Sequence, residues 1–502
     1  MIKVRTYQLR NLKHSKLTSV LILMAGVMAM LVMSSANAQR VSAENRVLTT
    51  AQGVLDSPVI TPDGQSVLFL NTTDGSSKTE LYSLPISGGM PTVLNPGLVA
   101  GGDILEFQVT PDGKQIVYHA DQLVDNKAEL FILPVSGGVA TRLNAALTNS
   151  DDVSDFAISP DGRYVVYETN FSSGDLFSVE LSNGNIINLT SGLPDAFPRI
   201  SDFVVDPTSR RVVLITASQG FRRNAVFSVG LDGQNLVKLS VDTSAETGIF
   251  SELLVTGDGD HVVYAIADSF FGRAIELFRA PLDGSLASVS LVPRVTTDES
   301  FNDLRITPDN AFVILRSNLL STNGTPEILK VPVFTNEPIK RLSQAFDNEF
   351  ASVNRLAVSA DGRFVIYLAD NEVSFQENLF QVSVDGGTPI QLNQPGTDHE
   401  VRFNFAVSPD SQWVVYAEEV DDLTEKLQLF AVPINGGEIL TLTEPISDED
   451  ENDFEFIISE DSQKIVSLSP NLDQLFLSEI TLEQLLCVVI PTKNRKVVSF
   501  CL

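Results

Sequence analysis

A turn of the form Pro-Asp-Gly returns nine times along this chain, and the repeat constrains the fold more than any other feature of the sequence. The clearest copies are Pro62-Asp63-Gly64, Pro111-Asp112-Gly113 and Pro160-Asp161-Gly162. Weaker copies follow, in chain order, at Thr208, Asp258, Asp309, Asp361, Asp410 and Asp461. The intervals run from 47 to 52 residues. A period this regular predicts a repeat architecture of nine units, numbered here from the N-terminus.

The chemistry of each repeat unit predicts four short strands. Pro presets the first corner of the turn, Asp can accept hydrogen bonds from backbone amides, and Gly accepts the left-handed conformation. Each turn is followed by a β-branched run such as Val165-Val166-Tyr167, and then by an apolar pair such as Leu176-Phe177. A second tight turn and a last run ending on Leu-Asn, Leu-Thr or Leu-Ser follow in most units. Four strands joined by tight turns are typical of a propeller blade.

The fold class predicted is therefore all-β, a β-propeller of four-stranded blades built from nine repeat units. The ninth unit lacks a fourth strand, whereas Arg46–Thr50 has the character of a fourth strand without a blade. Pairing these two segments would remove two exposed sheet edges. We expect nine blades closed by this N-terminal strand, with eight blades and one displaced repeat as the alternative.

The units resemble the TolB-like, or PD40, class of WD40-like repeat. The matching residues are Ile158–Tyr167, then Leu176-Phe177, then Asn188-Leu189-Thr190, and the resemblance spans roughly residues 46–480. It implies the propeller fold, in a class that includes a periplasmic scaffold binding a lipoprotein and the N-terminal propellers of prolyl-type serine peptidases. The sequence contains no Gly-x-Ser-x-Gly, and 22 residues follow Ile480, so we do not expect a serine peptidase with its hydrolase domain.

The N-terminus predicts export. Basic residues precede the apolar run Leu17–Met33, and Ala36-Asn37-Ala38 places small residues at the two cleavage positions. We expect a signal peptide at 1–38, the propeller at 39–480 and a C-terminal β-hairpin at 481–502. The location would be periplasmic or extracellular in a bacterium, with no membrane span after cleavage. An uncleaved membrane anchor is the alternative.

The charge balance excludes one class of partner. The chain has 64 Asp and Glu against 34 Lys and Arg, a formal charge of −30, which argues against nucleic acid. Three of the four His residues, His119, His261 and His399, lie in different units, and we interpret each as a surface or packing residue. We expect no cofactor and a monomer.

One position of the repeat combines acidity with a fixed place in the fold. Six residues before the turn Asp, near the start of the first strand, six units carry an acid: Glu106, Asp155, Asp202, Glu252, Asp303 and Glu455. We call these six residues the acidic rim and expect them at the mouth of the axial channel, near long loops. Three interpretations remain: a solvated surface, a docking site for a basic partner, or a cation site suited to calcium.

The two cysteines lie in the predicted C-terminal hairpin. Reflection about Asn494 places Cys487 opposite Cys501. Facing positions on a hairpin are close enough for a disulfide, and export permits one. We predict this bond, with two reduced, buried thiols as the alternative.

The leading functional expectation is an exported, non-catalytic β-propeller. It would bind an exported or envelope protein or peptide through its acidic loop face. The alternative is a hydrolase or lyase acting on saccharides or peptides, with carboxylates at the channel mouth as acid and base.

Overall fold

All the secondary structure in the described part of the chain is β-strand. The computed structural model describes residues 38–49, 54–72, 78–148, 151–169, 174–194, 199–217, 224–242, 247–268, 273–295, 299–344, 352–370, 376–395, 399–421, 426–447, 455–469, 474–485, 487–491 and 497–501. Within these ranges we find no helix that is long and apolar enough to cross a membrane. The predicted signal peptide, 1–38, lies outside them except for its last residue, Ala38.

The chain divides into two compact units. The larger, Glu44–Glu479, contains the repeats. The smaller is made of Met1–Ala43 and Ile480–Leu502. Its described part includes the hairpin of β38 (Cys487–Pro491) and β39 (Val497–Cys501).

Each repeat unit forms antiparallel strands that follow one another in chain order. The strands of units 1 to 4 are β2 (Val54–Ile60), β3 (Ser66–Thr72), β4 (Thr79–Pro85), β5 (Thr92–Val93), β6 (Ile104–Val109), β7 (Gln115–Ala120), β8 (Glu129–Pro134), β9 (Thr141–Arg142), β10 (Val153–Ile158), β11 (Tyr164–Thr169), β12 (Leu176–Glu180), β13 (Asn185–Asn188), β14 (Arg199–Val205), β15 (Arg211–Ala217), β16 (Asn224–Gly230) and β17 (Val237–Lys238). Those of units 5 to 9 are β18 (Thr247–Val255), β19 (His261–Asp268), β20 (Ala274–Pro281), β21 (Val289–Val292), β22 (Phe301–Ile306), β23 (Phe312–Ser317), β24 (Glu327–Pro332), β25 (Lys340–Arg341), β26 (Ser352–Val358), β27 (Phe364–Asp370), β28 (Glu377–Ser383), β29 (Ile390–Gln391), β30 (Val401–Val407), β31 (Trp413–Asp421), β32 (Lys426–Pro433), β33 (Leu440–Thr441), β34 (Ile446–Ser447), β35 (Phe456–Ile458), β36 (Lys464–Ser469) and β37 (Gln474–Leu485).

The pairing of these strands confirms an all-β fold of four-stranded antiparallel sheets. The N-terminal strand β1 (Ala38–Thr49) pairs with β37, so the sheet of unit 9 has the order β1-β37-β36-β35. Units 5 and 6 share one eight-stranded sheet because Ala274 pairs with Phe301.

A hydroxyl two residues before the turn Asp organises the Pro-Asp-Gly turns. In unit 1 the Thr61 hydroxyl donates to Oδ1 of Asp63 (2.7 Å) and accepts from the N–H of Ser66 (3.0 Å). The same Oδ1 accepts from the N–H of Gln65 (3.0 Å), and Gly64 takes a left-handed φ of 66°. These bonds satisfy the backbone groups of the corner, so the motif specifies the hairpin by local chemistry.

The degenerate turn of unit 4 keeps the same bonds with the two side chains exchanged. In unit 4 Asp206 occupies the position at which the other units have Ser or Thr, and Thr208 occupies the position at which they have Asp. Asp206 is fully buried and accepts from the Thr208 hydroxyl, from the N–H of Thr208 (2.8 Å) and from the N–H of Arg210 (2.7 Å). The exchange preserves the hairpin because either residue can act as the central acceptor.

The apolar cores lie between consecutive sheets. Leu68 and Leu81 of unit 1 pack in one cluster with Tyr118 and Phe131 of unit 2. In another cluster, strands of unit 1 meet strands of unit 9, with Val67 and Phe69 beside Val466, Leu468, Leu475 and Leu477. Burial against a neighbouring sheet stabilises each unit, because a single four-stranded sheet cannot cover both of its own faces.

Candidate functional site

The acidic rim positions occur where the first strands are bulged. The pairing register shifts between Ile104 and Glu106, between Val153 and Asp155, and again just before Asp202. A β-bulge turns a side chain away from the regular alternation of the strand and is common beside functional sites. The rim carboxylates are therefore aimed by a local irregularity that recurs with the repeat.

Two of the rim residues join neighbouring repeat units. Arg305 forms ion pairs with both Glu252 and Asp303, each at 2.8 Å. Glu252 also accepts from the N–H of Leu304 (3.1 Å), and Asp303 accepts from the N–H of Leu356 in the next unit (2.9 Å). A guanidinium and backbone donors thus compensate this part of the rim.

Glu455 makes a similar contact between units 9 and 1. Burial raises the pKa of Glu455, and the charge of Asp56 raises it further. A hydrogen bond from the backbone of Ser57 acts in the opposite direction. This carboxyl group therefore faces the first strand of unit 1.

The other three rim residues form an acidic group of their own. Burial raises the pKa of Glu106 and that of Asp202, and the charge of Asp155 raises both further. Asp155 lies in the unit between them and accepts from the N–H of Phe156 (2.7 Å). The carboxyl groups of Glu106, Asp155 and Asp202 thus form one electrostatic group. The remaining rim residues, Glu252, Asp303 and Glu455, lie outside that group.

Glu168 is a functional candidate that our sequence reasoning missed. It lies on β11 directly opposite Asp155 in the register of the sheet. Burial, assisted by the charges of Asp155 and Asp202, raises the pKa of Glu168 to about 7. The sequence could have indicated Glu168, because antiparallel pairing across the Pro-Asp-Gly turn places it opposite Asp155. We did not apply this pairing to the rim positions.

Asp155 and Glu168 face a common cavity between units 3 and 4. This carboxylate cavity has a volume of about 330 Å³ and is lined by Ser154, Asp155, Glu168, Gly174 and Arg199, together with residues 200 and 201. Gly174 has a φ of 60°, and a Cβ atom there would lie 3.8 Å from Oε1 of Glu168. The site thus combines two acidic residues, Arg199 and a glycine whose positive φ disfavours a side chain.

A larger cavity, about 740 Å³, lies beside the tight turns of units 3 to 5, at the opposite ends of the strands. Its cationic side chains already have partners. Arg210 pairs with Asp260 at 3.0 Å, and Arg211 donates to the Ser228 hydroxyl and to the carbonyl of Asn235 at 2.7 Å each. The two facing carboxyl groups, one of them with a pKa raised to about 7, make the smaller carboxylate cavity the candidate site.

Within the described ranges, no group of three or more His, Cys, Asp or Glu side chains is arranged to hold a metal ion. Calcium at the rim therefore stays an untested expectation. In the C-terminal hairpin the backbone pairs Cys487 with Cys501, as reflection about Asn494 predicted. The disulfide itself stays a prediction.

Comparison with solved structures identifies a β-propeller-like fold. Dipeptidyl peptidase 4 of Porphyromonas gingivalis matches with a TM-score of 0.56 and 12% identity, over 84% of this chain and 65% of that one. A prolyl endopeptidase matches with a TM-score of 0.45 and 13% identity, over 74% of this chain and 53% of the endopeptidase chain. This chain thus spans about half the length of that endopeptidase. Oligogalacturonate lyase of Vibrio parahaemolyticus matches with a TM-score of 0.43 and 12% identity, over 89% of this chain and 100% of its own. No protein-family model and no curated protein sequence matches the chain.

These comparisons contradict the leading functional expectation. We expected a non-catalytic propeller that binds a protein or peptide, but dipeptidyl peptidase 4, which matches with a TM-score of 0.56, is a peptidase. The expectation against an enzyme is therefore wrong, and the alternative of a hydrolase or lyase stays a proposal. At 12 to 14% identity the likeness shows the fold alone, so the reaction must be argued from the residues of this chain.

Proposed function

We propose that this protein is a hydrolase that cleaves glycosidic bonds in saccharides, with Glu168 as general acid and Asp155 as its partner carboxylate. The observation that carries the proposal is the placement of these two groups, on paired strands, in one cavity beside Arg199. Two carboxyl groups flanking a bond are what glycoside hydrolysis requires.

The two groups have separable tasks in this reaction. Glu168, with its pKa raised to about 7, still holds a proton near neutral pH and gives it to the glycosidic oxygen as the bond from that oxygen to the anomeric carbon breaks. Asp155 takes a proton from the attacking water, whose oxygen forms the new bond to the anomeric carbon. The balance is one C–O bond broken, one formed and one water consumed, after which a proton passes back to Glu168 through solvent.

Arg199 supports a second candidate reaction. Arg199 lines the same cavity, and a lyase that removes a proton beside a uronate carboxylate would use a guanidinium to neutralise that group. The products separate the two reactions. Hydrolysis yields saturated sugars, whereas elimination leaves a double bond that absorbs in the ultraviolet.

For the architecture we propose nine blades of the TolB-like repeat class, closed between units 9 and 1. Three observations support closure: β1 pairs with β37, one apolar cluster joins strands of units 1 and 9, and a Cβ atom on Gly64 would lie 3.7 Å from Nζ of Lys464. For the location we propose export from a bacterial cell, supported by the N-terminal sequence.

The functional test is a screen of neutral, amino and uronate oligosaccharides with wild type, Glu168→Gln, Asp155→Asn and Glu252→Gln. Reducing ends and ultraviolet absorbance are both measured. We expect the first two variants to lose about 10²- to 10⁴-fold in turnover, since each removes a proton-transfer group. Glu252→Gln is the matched control, because it alters a rim acid outside the cavity. Cleavage that survives in both cavity variants, or no cleavage by wild type of any saccharide, would reject the proposal.

A further inference from the structure

A cavity of about 250 Å³ lies between units 5 and 6, beside the connection that follows β24. We call it the Arg279 cavity. We propose that it is a second ligand site, which takes a uronate residue, with Arg279 binding the carboxylate and Phe334 packing against the sugar ring. The choice of a saccharide rests on the proposed function, whereas the binding of a carboxylate does not.

A bulge in β21 forms one wall of this cavity. Phe278 pairs with Ser290 and Leu277 pairs with Val292, so Leu291 has no partner in the register between them. Ser290 and Leu291 both line the cavity. A β-bulge bends its strand and is common beside functional sites. The cavity thus lies at a local irregularity of the sheet.

Arg279 supplies a cation that no described carboxylate compensates. None of the ion pairs between described residues includes Arg279. Its Nε is buried and has no hydrogen-bond partner in the described part of the chain. Leaving a buried charged donor without an acceptor is costly. A bound carboxylate would remove this cost, because a guanidinium and a carboxylate can form two parallel hydrogen bonds.

Phe334 provides an apolar surface beside this cation. The guanidinium carbon of Arg279 lies 4.8 Å from the centroid of the Phe334 ring, and Phe334 is 45% exposed. Ser290, Thr335 and Asn336 add hydroxyl and amide groups to the lining. A sugar ring combines apolar C–H groups with hydroxyl groups, so it matches both parts of this wall. The volume is below the roughly 300 to 1,000 Å³ of sites for drug-sized ligands, which favours a single ring.

His261 is a local reporter of the charge at this site. Its ring packs edge-on against Phe334, with the two centroids 5.0 Å apart. Burial and the charge of Arg279 lower the pKa of His261. The charges that raise it are those of Asp258, Asp260 and Asp283. An anion bound to Arg279 would cancel part of the guanidinium charge, so the pKa of His261 should rise.

The first experiment uses wild-type protein and follows the ring signals of His261 by NMR, assigned with His261→Gln. The added ligands are D-galacturonate, D-galactose and acetate. We expect D-galacturonate to raise the pKa of His261 and D-galactose to leave it unchanged. Acetate should have the same effect only at about tenfold higher concentration, because it lacks the ring that packs on Phe334.

The second experiment repeats the D-galacturonate titration with Arg279→Gln. We expect binding to weaken at least about tenfold, because the variant loses the charge and the paired hydrogen bonds of the guanidinium. Arg363→Gln is the matched control. Arg363 is an exposed arginine of unit 7 that pairs with Asp361 at 2.6 Å, and its substitution should leave the affinity at the Arg279 cavity unchanged.

Four results would overturn the proposal. They are an unchanged pKa of His261 at saturating D-galacturonate, an equal response to D-galactose, an equal affinity for acetate, and wild-type affinity in Arg279→Gln. If Arg279→Gln does not fold, the wild-type titrations decide, because they need no variant at Arg279. Neither experiment requires catalysis. Failure of the proposed function would therefore appear as a wild type that cleaves no saccharide, whatever the response of His261.

Discussion

Replacing Glu168 with Gln should stabilise the folded protein above neutral pH while lowering turnover about 10²- to 10⁴-fold. The pKa of Glu168 is raised in the folded state from 4.5 to about 7. A carboxyl group with a raised folded pKa favours folding when it is protonated. Its contribution to stability is complete below about pH 4.5 and is lost as pH rises to about 7. Gln cannot ionise, so the variant escapes this loss.

The shift sets the size of the effect. A difference of 2.5 pKa units corresponds to about 3 kcal/mol, and water that reaches the partly exposed side chain reduces this to about 2 kcal/mol. The larger compact unit, Glu44–Glu479, has an unfolding entropy of about 0.9 kcal/mol/K at about 2.1 cal/mol/K per residue. The expected gain in Tm is therefore about 2 °C at pH 8 and about zero at pH 4.

Differential scanning calorimetry of wild type and Glu168→Gln from pH 4 to pH 8, at one scan rate, measures this difference. Glu438→Gln is the matched control, because Glu438 is exposed and its substitution should give no pH-dependent gain. A difference in Tm between wild type and Glu168→Gln that stays flat across this range would refute the reasoning. Glu168 would then titrate as an ordinary carboxyl group, and its role as general acid would fail with it.

Three further predictions concern the cavity, the turns and the tail. Gly174→Asn should lower activity at least about tenfold, because the new side chain would enter the cavity. It should lower stability by less than about 1 kcal/mol, because Asn tolerates the left-handed φ. Enzyme assays measure the first effect and urea unfolding measures the second. Asp206→Thr should destabilise the protein by about 2 kcal/mol or more, and adding Thr208→Asp should recover most of the lost stability. A double variant that is as unstable in urea as the single variant would contradict the exchange of roles. Unreduced protein should show no reactive thiol at Cys487 or Cys501, and labelling before reduction would reject the disulfide.

Local chemistry made the repeat predictable. A Ser or Thr, an Asp and a residue at positive φ satisfy the backbone of the turn by themselves, so the motif specifies a hairpin wherever it occurs. Even the copy at Thr208 follows this rule, because Asp206 and Thr208 exchange roles. The place of the N-terminal strand was predictable for a related reason, since this strand and the third strand of unit 9 each had an unpaired edge, and β1 pairs with β37.

The sequence by itself determined the strands, the turns and the pairing of β1 with the last unit, since each follows from contacts between residues close in the chain or from a count of unpaired edges. Only the tertiary structure decided which carboxyl groups act together. Arg305 compensates Glu252 and Asp303, whereas Asp155 meets Glu168 in an open cavity. Burial and the electric field of neighbouring units set the protonation of these groups. Neither quantity can be derived from the spacing of residues in the sequence.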